Sequence, residues 1–187
     1  MQTRKKVLIT GGSGMIGQRL TALLLEKGYH VSHLGRSKRN NAIETYLWDP
    51  EKNVIDVEAL TDTDIVINLA GAGIADKRWN GRRKKEILLS RTQSARLLRD
   101  SLETLKHRVN TFISASGISY YGLRDAPMRG FTETDQPATD FMAQVTSAWE
   151  KEVKEILDSR IRTVMIRTGV VLNREGGALN KLARPIK

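Results

Sequence analysis

The sequence predicts an α/β domain, a doubly wound parallel sheet with strand order 3-2-1-4-5-6. Three observations predict it. Short apolar, β-branched runs alternate along the whole chain with longer segments of helical periodicity. One run, Asp64 to Ala70, is apolar almost without a break, as expected of a strand buried on both faces. The first run passes straight into glycines at positions 11, 14 and 17, a strand-to-helix turn.

Each element then follows in order. Lys6 to Thr10 is the first strand, and Gln18 to Lys27 is a helix closed by Gly28. Tyr29 to Leu34 is the second strand and Thr45 to Trp48 a short third. The Asp64 run is the fourth, followed by a long helix over 82–106. Thr111 to Ser116 is the fifth strand, Asp140 the expected N-cap of a helix to about Asp158, and Arg162 to Arg167 the sixth strand. This is the Rossmann arrangement, with a ligand crevice at the carboxyl ends of the strands.

At 187 residues the chain suits one well-cored domain, and no linker-like stretch divides it. It has no cysteine, so disulfides, thiolate nucleophiles and cysteine-rich metal sites are excluded. No apolar run approaches the ~20 residues that span a bilayer, and the N-terminus has no signal-peptide core, so a cytoplasmic location is expected. The net charge of +10 concentrates in Lys77-Arg-Trp-Asn-Gly-Arg-Arg-Lys-Lys85. Cations beside a tryptophan could track a nucleic acid, but charge runs are more often the solvated start of a helix. The favoured partner is a small molecule, with an anionic one suited to this surface; nucleic acid and membrane are not expected, and the oligomeric state stays open.

The glycine turn carries the most chemistry. A strand that turns abruptly into a helix leaves backbone N–H groups at the positive end of the helix dipole, a site for a diphosphate. Gly11 allows the tight turn, Gly14 the close approach of phosphate, and Gly17 the packing of helix on strand. Ser13, Met15 and Ile16 complete this set of expected cofactor contacts. The end of the second strand selects the cofactor. It reads Leu34-Gly-Arg-Ser37, with no carboxylate until Glu44, so Arg36 and Ser37 match the 2′-phosphate of NADP(H), and Lys38 and Arg39 extend the patch. Asp49 is placed to accept from the adenine amino group or, equally, to shape a turn before Pro50. Small residues after the fourth strand, with Leu69, Ala70 and Gly71 among them, let backbone approach the nicotinamide-side ribose.

Arg91 falls inside the helical stripe that runs from Leu88 through Ala95, Leu98, Leu102 and Leu105. It either lies at the edge of that stripe with its head in water or points into the crevice as an anion contact. The three histidines, His30, His33 and His107, read as solvated residues, and no metal site is expected.

Together, Thr10-Gly-Gly-Ser-Gly-Met-Ile-Gly17, Asn68-Leu-Ala-Gly71, Ser114-Ala-Ser-Gly-Ile-Ser-Tyr-Tyr-Gly122 and Arg167-Thr-Gly-Val-Val171 resemble the extended short-chain dehydrogenase/reductases, the NAD-dependent epimerase/dehydratase group. Arg78-Trp79, Ser90-Arg91 and Trp149-Glu150 resemble its atypical, sugar-nucleotide-epimerase-like branch. The resemblance adds Arg167 to the cofactor contacts. It also implies a binding domain over 1–169 and the start of a truncated substrate lobe over 170–187. The family's acid/base chemistry rests on a Tyr-x-x-x-Lys pair, and no tyrosine here is followed by lysine at that spacing. Met142 and Thr146 stand at those positions, and Gly117 where the usual Ser or Thr is expected. Ser116 and Tyr121 are the remaining catalytic candidates, given a cation such as Arg124 or Arg91 beside the phenol, although both also suit packing or capping. The expected function is an NADP(H)-binding oxidoreductase or epimerase-like protein, the alternative a cofactor-holding sensor or scaffold without turnover.

Overall fold

The computed structural model describes residues 4–38, 42–123, 125–156, 160–173, 176, 177 and 179. Its strands are β1 (Lys6–Thr10), β2 (His30–Gly35), β3 (Glu44–Asp49), β4 (Val54–Ile55), β5 (Ile65–Asn68), β6 (Thr111–Gly117) and β7 (Arg162–Thr168), with a small hairpin of β8 (Leu172–Asn173) and β9 (Gly176–Gly177). The helices are α1 (Met15–Glu26), α2 (Glu58–Thr61), α3 (Gly81–Thr104) and α4 (Phe141–Lys154). A single 3-10 turn, Ile118–Tyr121, follows β6. No described helix is long and apolar enough to cross a membrane.

The sheet runs β4-β3-β2-β1-β5-β6-β7. Its six parallel strands keep the expected order 3-2-1-4-5-6, and β4 is an antiparallel addition, Trp48 opposite Ile55 and Asp49 opposite Val54. The hairpin that adds β4 turns at Asn53, whose φ of 55° is a conformation asparagine tolerates better than most residues. The chain leaves β3 at one side and re-enters at β5 beside β1, so the switch point lies between β1 and β5.

Alternation along each strand divides the core between the two sheet faces. Leu8, Leu34, Val66 and Phe112 pack with Leu98, Leu102, Trp149 and Val153 of α3 and α4. Val7, Ile9, Val31 and Ile67 face the other way, against Leu20 and Leu24 of α1. In α3 the buried stripe takes Ile87 rather than Leu88 and runs from Arg83 through Ile87, Arg91, Ala95, Leu98 and Leu102. Asp140 caps α4 as expected, accepting from the N–H groups of Met142 and Ala143. The helix closes at Lys154, with Lys151 and Lys154 complementing its dipole, and Asp158 falls outside the described residues.

Candidate functional site

The turn between β1 and α1 is set by close backbone contacts. Gly11 has φ +65°, and a Cβ there would lie 2.9 Å from the Leu69 carbonyl. A Cβ on Gly17 would meet the Gly11 carbonyl oxygen at 2.5 Å and Gly12 Cα at 2.6 Å, so the first turn of α1 lies directly on the loop. Thr10 Oγ1 donates to Asn68 Oδ1 at 2.7 Å and accepts from the N–H groups of Leu69 and Ala70, both at 3.1 Å. One hydroxyl thereby joins the glycine turn to the loop after β5, across the switch point. Ser13, Gly14 and Ile16 are exposed along the turn, and Met15 is half-buried. Helix α1 begins at Gly14 without a side-chain cap, whereas Asn80 caps α3 and Asp140 caps α4. Its first N–H groups are thus presented at the sheet's carboxyl edge.

Under this turn lies a residue that corrects the sequence reading. His33 is buried, because β2 is an interior strand with α1 packed over it. Its Nε2 is 2.8 Å from Thr21 Oγ1. Thr21 gives its single proton to the Gly17 carbonyl at 2.7 Å, so the ring N–H donates to the hydroxyl. A Cβ on Gly12 would stand 2.5 Å from the His33 ring, which explains a fourth glycine that spacing alone does not single out. His30 is exposed, while His107 is half-buried and ties the end of α3, contacting the Leu102 carbonyl at 2.9 Å and accepting from the Val109 N–H.

Arg36, Ser37 and Lys38 stand exposed at the carboxyl end of β2; Arg39 falls outside the described residues. Asp49 shapes the turn that follows it, accepting from the N–H groups of Glu51 at 3.1 Å and Lys52 at 3.4 Å. In the basic run Lys77, Arg78, Arg82, Lys84 and Lys85 are exposed, and three other residues serve the fold. Asn80 caps α3, Trp79 meets the ring of Phe141 edge-on at 5.3 Å, and Arg83 is buried, pairing with Glu86 at 2.7 Å and donating to the Gly73 carbonyl.

Arg91 is also buried, at 9% exposure, which excludes a head in water. Its Nη1 donates to the carbonyls of Ala72 at 3.1 Å and Ile87 at 3.0 Å, and its guanidinium lies 5.5 Å from the Trp149 ring. Leu69, Ala70 and Gly71 form the loop above it; a Cβ on Gly71 would be 2.9 Å from Arg91 Cζ. Burial and the charge of Arg83 both lower its pKa from the ordinary guanidinium value.

Across the crevice, at the ends of β6 and β7, a second cluster gathers both catalytic candidates around a carboxylate. Glu150 is 2% exposed and receives Ser116 Oγ at 2.6 Å and a bidentate Arg167, both bonds 2.8 Å. Arg167 Nη1 donates to Tyr121 Oη at 2.8 Å, and that phenol donates to the Thr132 carbonyl at 2.9 Å. The Arg167 guanidinium also stacks on Tyr120, 3.5 Å from its centroid. The cation beside Tyr121 is therefore Arg167. Arg91 lies elsewhere, and Arg124 falls outside the described residues. Burial alone would raise the Glu150 carboxyl, but the bonds from Arg167 and Ser116 outweigh it and hold it below its ordinary value. Glu150 was legible in principle. With Thr146, Trp149 and Val153 it occupies one buried helical stripe, the same signal that drew attention to Arg91. Thr146 Oγ1 donates to the Met142 carbonyl at 2.8 Å and meets Ser119 Oγ at 2.8 Å, a pairing of hydroxyls with no strong base.

The pattern of the NAD dependent epimerase/dehydratase family matches residues 7–168. The chain belongs to that family. An epimerase family protein of Mycobacterium bovis is 38% identical over 180 residues, covering 96% of this chain and 58% of the relative. Another from Bacillus subtilis is 35% identical over 184 residues, covering 97% and 59%. The chain thus spans about three-fifths of these curated relatives. Among solved structures, a human epimerase family protein with NADPH has a TM-score of 0.79 at 28% identity, covering 96% of this chain and 59% of that one. A nucleoside-diphosphate sugar epimerase of Corynebacterium glutamicum has a TM-score of 0.81 at 30% identity, covering 98% and 38%. The epimerase-family chain accordingly combines a dinucleotide-type glycine turn with tyrosine and serine hydroxyls already bonded within the protein.

Proposed function

We propose that this epimerase-family chain binds NADP(H) within residues 1–169 and serves an oxidoreductase or epimerase-like reaction on a small, anionic substrate. The observation that carries the reading is the uncapped start of α1 beside exposed Arg36 and Ser37. The diphosphate lies over Gly11, Ser13, Gly14, Met15, Ile16 and Gly17, where backbone donors and the helix dipole favour negative charge. The 2′-phosphate lies against Arg36 and Ser37, and the nicotinamide end over Leu69, Ala70 and Gly71. A nicotinamide cofactor would supply hydride transfer there; the chain's own residues bind and orient it. The NADPH complex of the human relative supports this choice of cofactor. Asp49 and Arg167 fit this site less well, since their polar atoms already serve a turn and the Glu150 pair.

Titration of the chain with NADPH and NADH, followed by tryptophan emission, tests the reading. NADPH is expected to bind tighter than NADH by about tenfold or more, one phosphate–guanidinium contact being worth about 1.5–3 kcal/mol. Arg36→Met is expected to erase the preference. Equal affinities, or no binding of either, overturn the assignment.

A specific observation favours a second reading, a cofactor-holding module without turnover of its own. Both candidate hydroxyls, Ser116 and Tyr121, give their protons to groups within the protein. Stereospecific hydride loss from labelled NADPH with any member of a substrate panel excludes that reading.

A further inference from the structure

The loop after β5 covers a positive charge that no described residue neutralises. Arg91 is buried, yet among the described residues no carboxylate pairs with it; its bonds go to the neutral carbonyls of Ala72 and Ile87. Arginine cannot shed its proton to relieve this burial. Arg83 acts on it as a like charge, and is itself buried with Nε lacking a partner. Arg83 has Glu86 at 2.7 Å and Asp76 at 3.9 Å; Arg91 has neither.

The surroundings direct this charge outward. The Trp149 ring lies 5.5 Å from the guanidinium. Gly71 also lies against the guanidinium and is exposed just after the carboxyl end of β5. Any Cβ at position 71 would approach Cζ to 2.9 Å, Nη2 to 3.1 Å and Nε to 3.2 Å. At position 71 a backbone without a side chain lies between the charge and the carboxyl end of the sheet, the arrangement that lets a ligand come close. Ala72 is held in turn, its N–H donating to Ser90 Oγ at 2.9 Å, so the loop is fastened to α3 at adjacent positions 90 and 91.

We propose that Arg91 is an anion-binding residue, holding a phosphate or carboxylate group of a ligand that lies over Gly71. This deepens the proposed function and rests on it only for the identity of the ligand, because the charge is uncompensated among the described residues of the chain, whatever the ligand. The anion has two sources, the diphosphate of the dinucleotide or an acidic group on the substrate.

The test compares the wild type with Arg91→Met and Arg91→Lys by tryptophan emission, Trp149 lying against the site. Circular dichroism and thermal melting establish that both variants fold. Inorganic pyrophosphate is titrated into the protein alone and into protein saturated with NADPH. If the cofactor supplies the anion, Arg91→Met weakens NADPH and pyrophosphate together by about tenfold or more, Arg91→Lys weakens both by less, and NADPH blocks pyrophosphate. If the substrate supplies it, NADPH affinity is unchanged, pyrophosphate still binds the NADPH-saturated wild type, and Arg91→Met abolishes that binding. Identical pyrophosphate titrations of wild type and Arg91→Met overturn the proposal, as does an Arg91→Lys variant that folds yet binds as poorly as Arg91→Met. A wild type that binds pyrophosphate through Arg91 but not NADPH would sink the cofactor reading and leave the anion site standing.

Discussion

The two ends of the crevice are built on opposite principles. At the β1–α1 end, glycines clear space and leave backbone donors facing outward, with no side chain capping the helix. At the β6–β7 end, every polar group of the Ser116–Glu150–Arg167–Tyr121 cluster is bonded to another group of the protein. One end is arranged to receive a ligand and the other to hold two strands and a helix together. Substitutions at the first should change binding, and those at the second should change stability.

Glu150→Ala is the most severe test. It removes the buried carboxylate and leaves the half-buried Arg167 unpaired, and loss of about 3 kcal/mol in urea unfolding is expected, with NADPH affinity unchanged. A variant that melts normally but no longer binds cofactor would break the comparison. Gly17→Ala is expected to act the other way. Its Cβ would force apart the turn and the helix start, weakening NADPH by about a hundredfold while costing about 1–3 kcal/mol of stability. Full retention of binding would show that the turn is not the cofactor site.

Acid sharpens the contrast. The folded Glu150 carboxyl lies below its ordinary value of 4.5, so the unfolded chain takes up this proton first as pH falls. Its stabilisation is complete above that value and declines as pH drops through it toward the folded value. The gap between the unfolding midpoints of wild type and Glu150→Gln should therefore hold from pH 7 to about pH 5 and narrow as pH falls below 4.5; a gap that stays constant below 4.5 refutes the assignment. Smaller still, Tyr121→Phe removes the bonds to Arg167 and Thr132 and should cost about 1–2 kcal/mol, without changing any turnover that the chain supports. A drop in turnover with stability intact would restore Tyr121 as an acid/base residue. Asp140→Ala should cost about 1 kcal/mol as a lost helix cap, the smallest effect, and leave NADPH binding as it is.

Much of the first region could be read in the chain and little of the second. The glycine spacing places Gly11, Gly14 and Gly17 in one local turn, because Gly14 and Gly17 are constrained by Gly11 and Gly12 close in sequence, although Gly11 itself is also held against Leu69 across the switch point. Arg36 follows from the end of one strand. The His33–Gly12 contact spans a strand and a helix, so a lone histidine in a strand gave no sign that α1 would cover it. Glu150 and Arg91 each interrupt an apolar helical stripe, and that interruption is visible, but their outcomes differ. Glu150 finds Arg167 on a strand seventeen positions later, whereas Arg91, among the described residues, finds backbone carbonyls and a tryptophan.

By itself the sequence determined the doubly wound order and the dinucleotide-type turn, since periodicity and glycine spacing act over a few neighbouring residues. It did not foresee the antiparallel β4, whose two residues are too short to carry a pattern. Only the tertiary structure decided which charges are neutralised. Ion pairing depends on which faces meet when β6, β7, α3 and α4 pack together, and that is set by contacts between distant parts of the chain. The same packing closes Ser116 and Tyr121 into a bonded cluster and leaves Arg91 positive beneath Gly71.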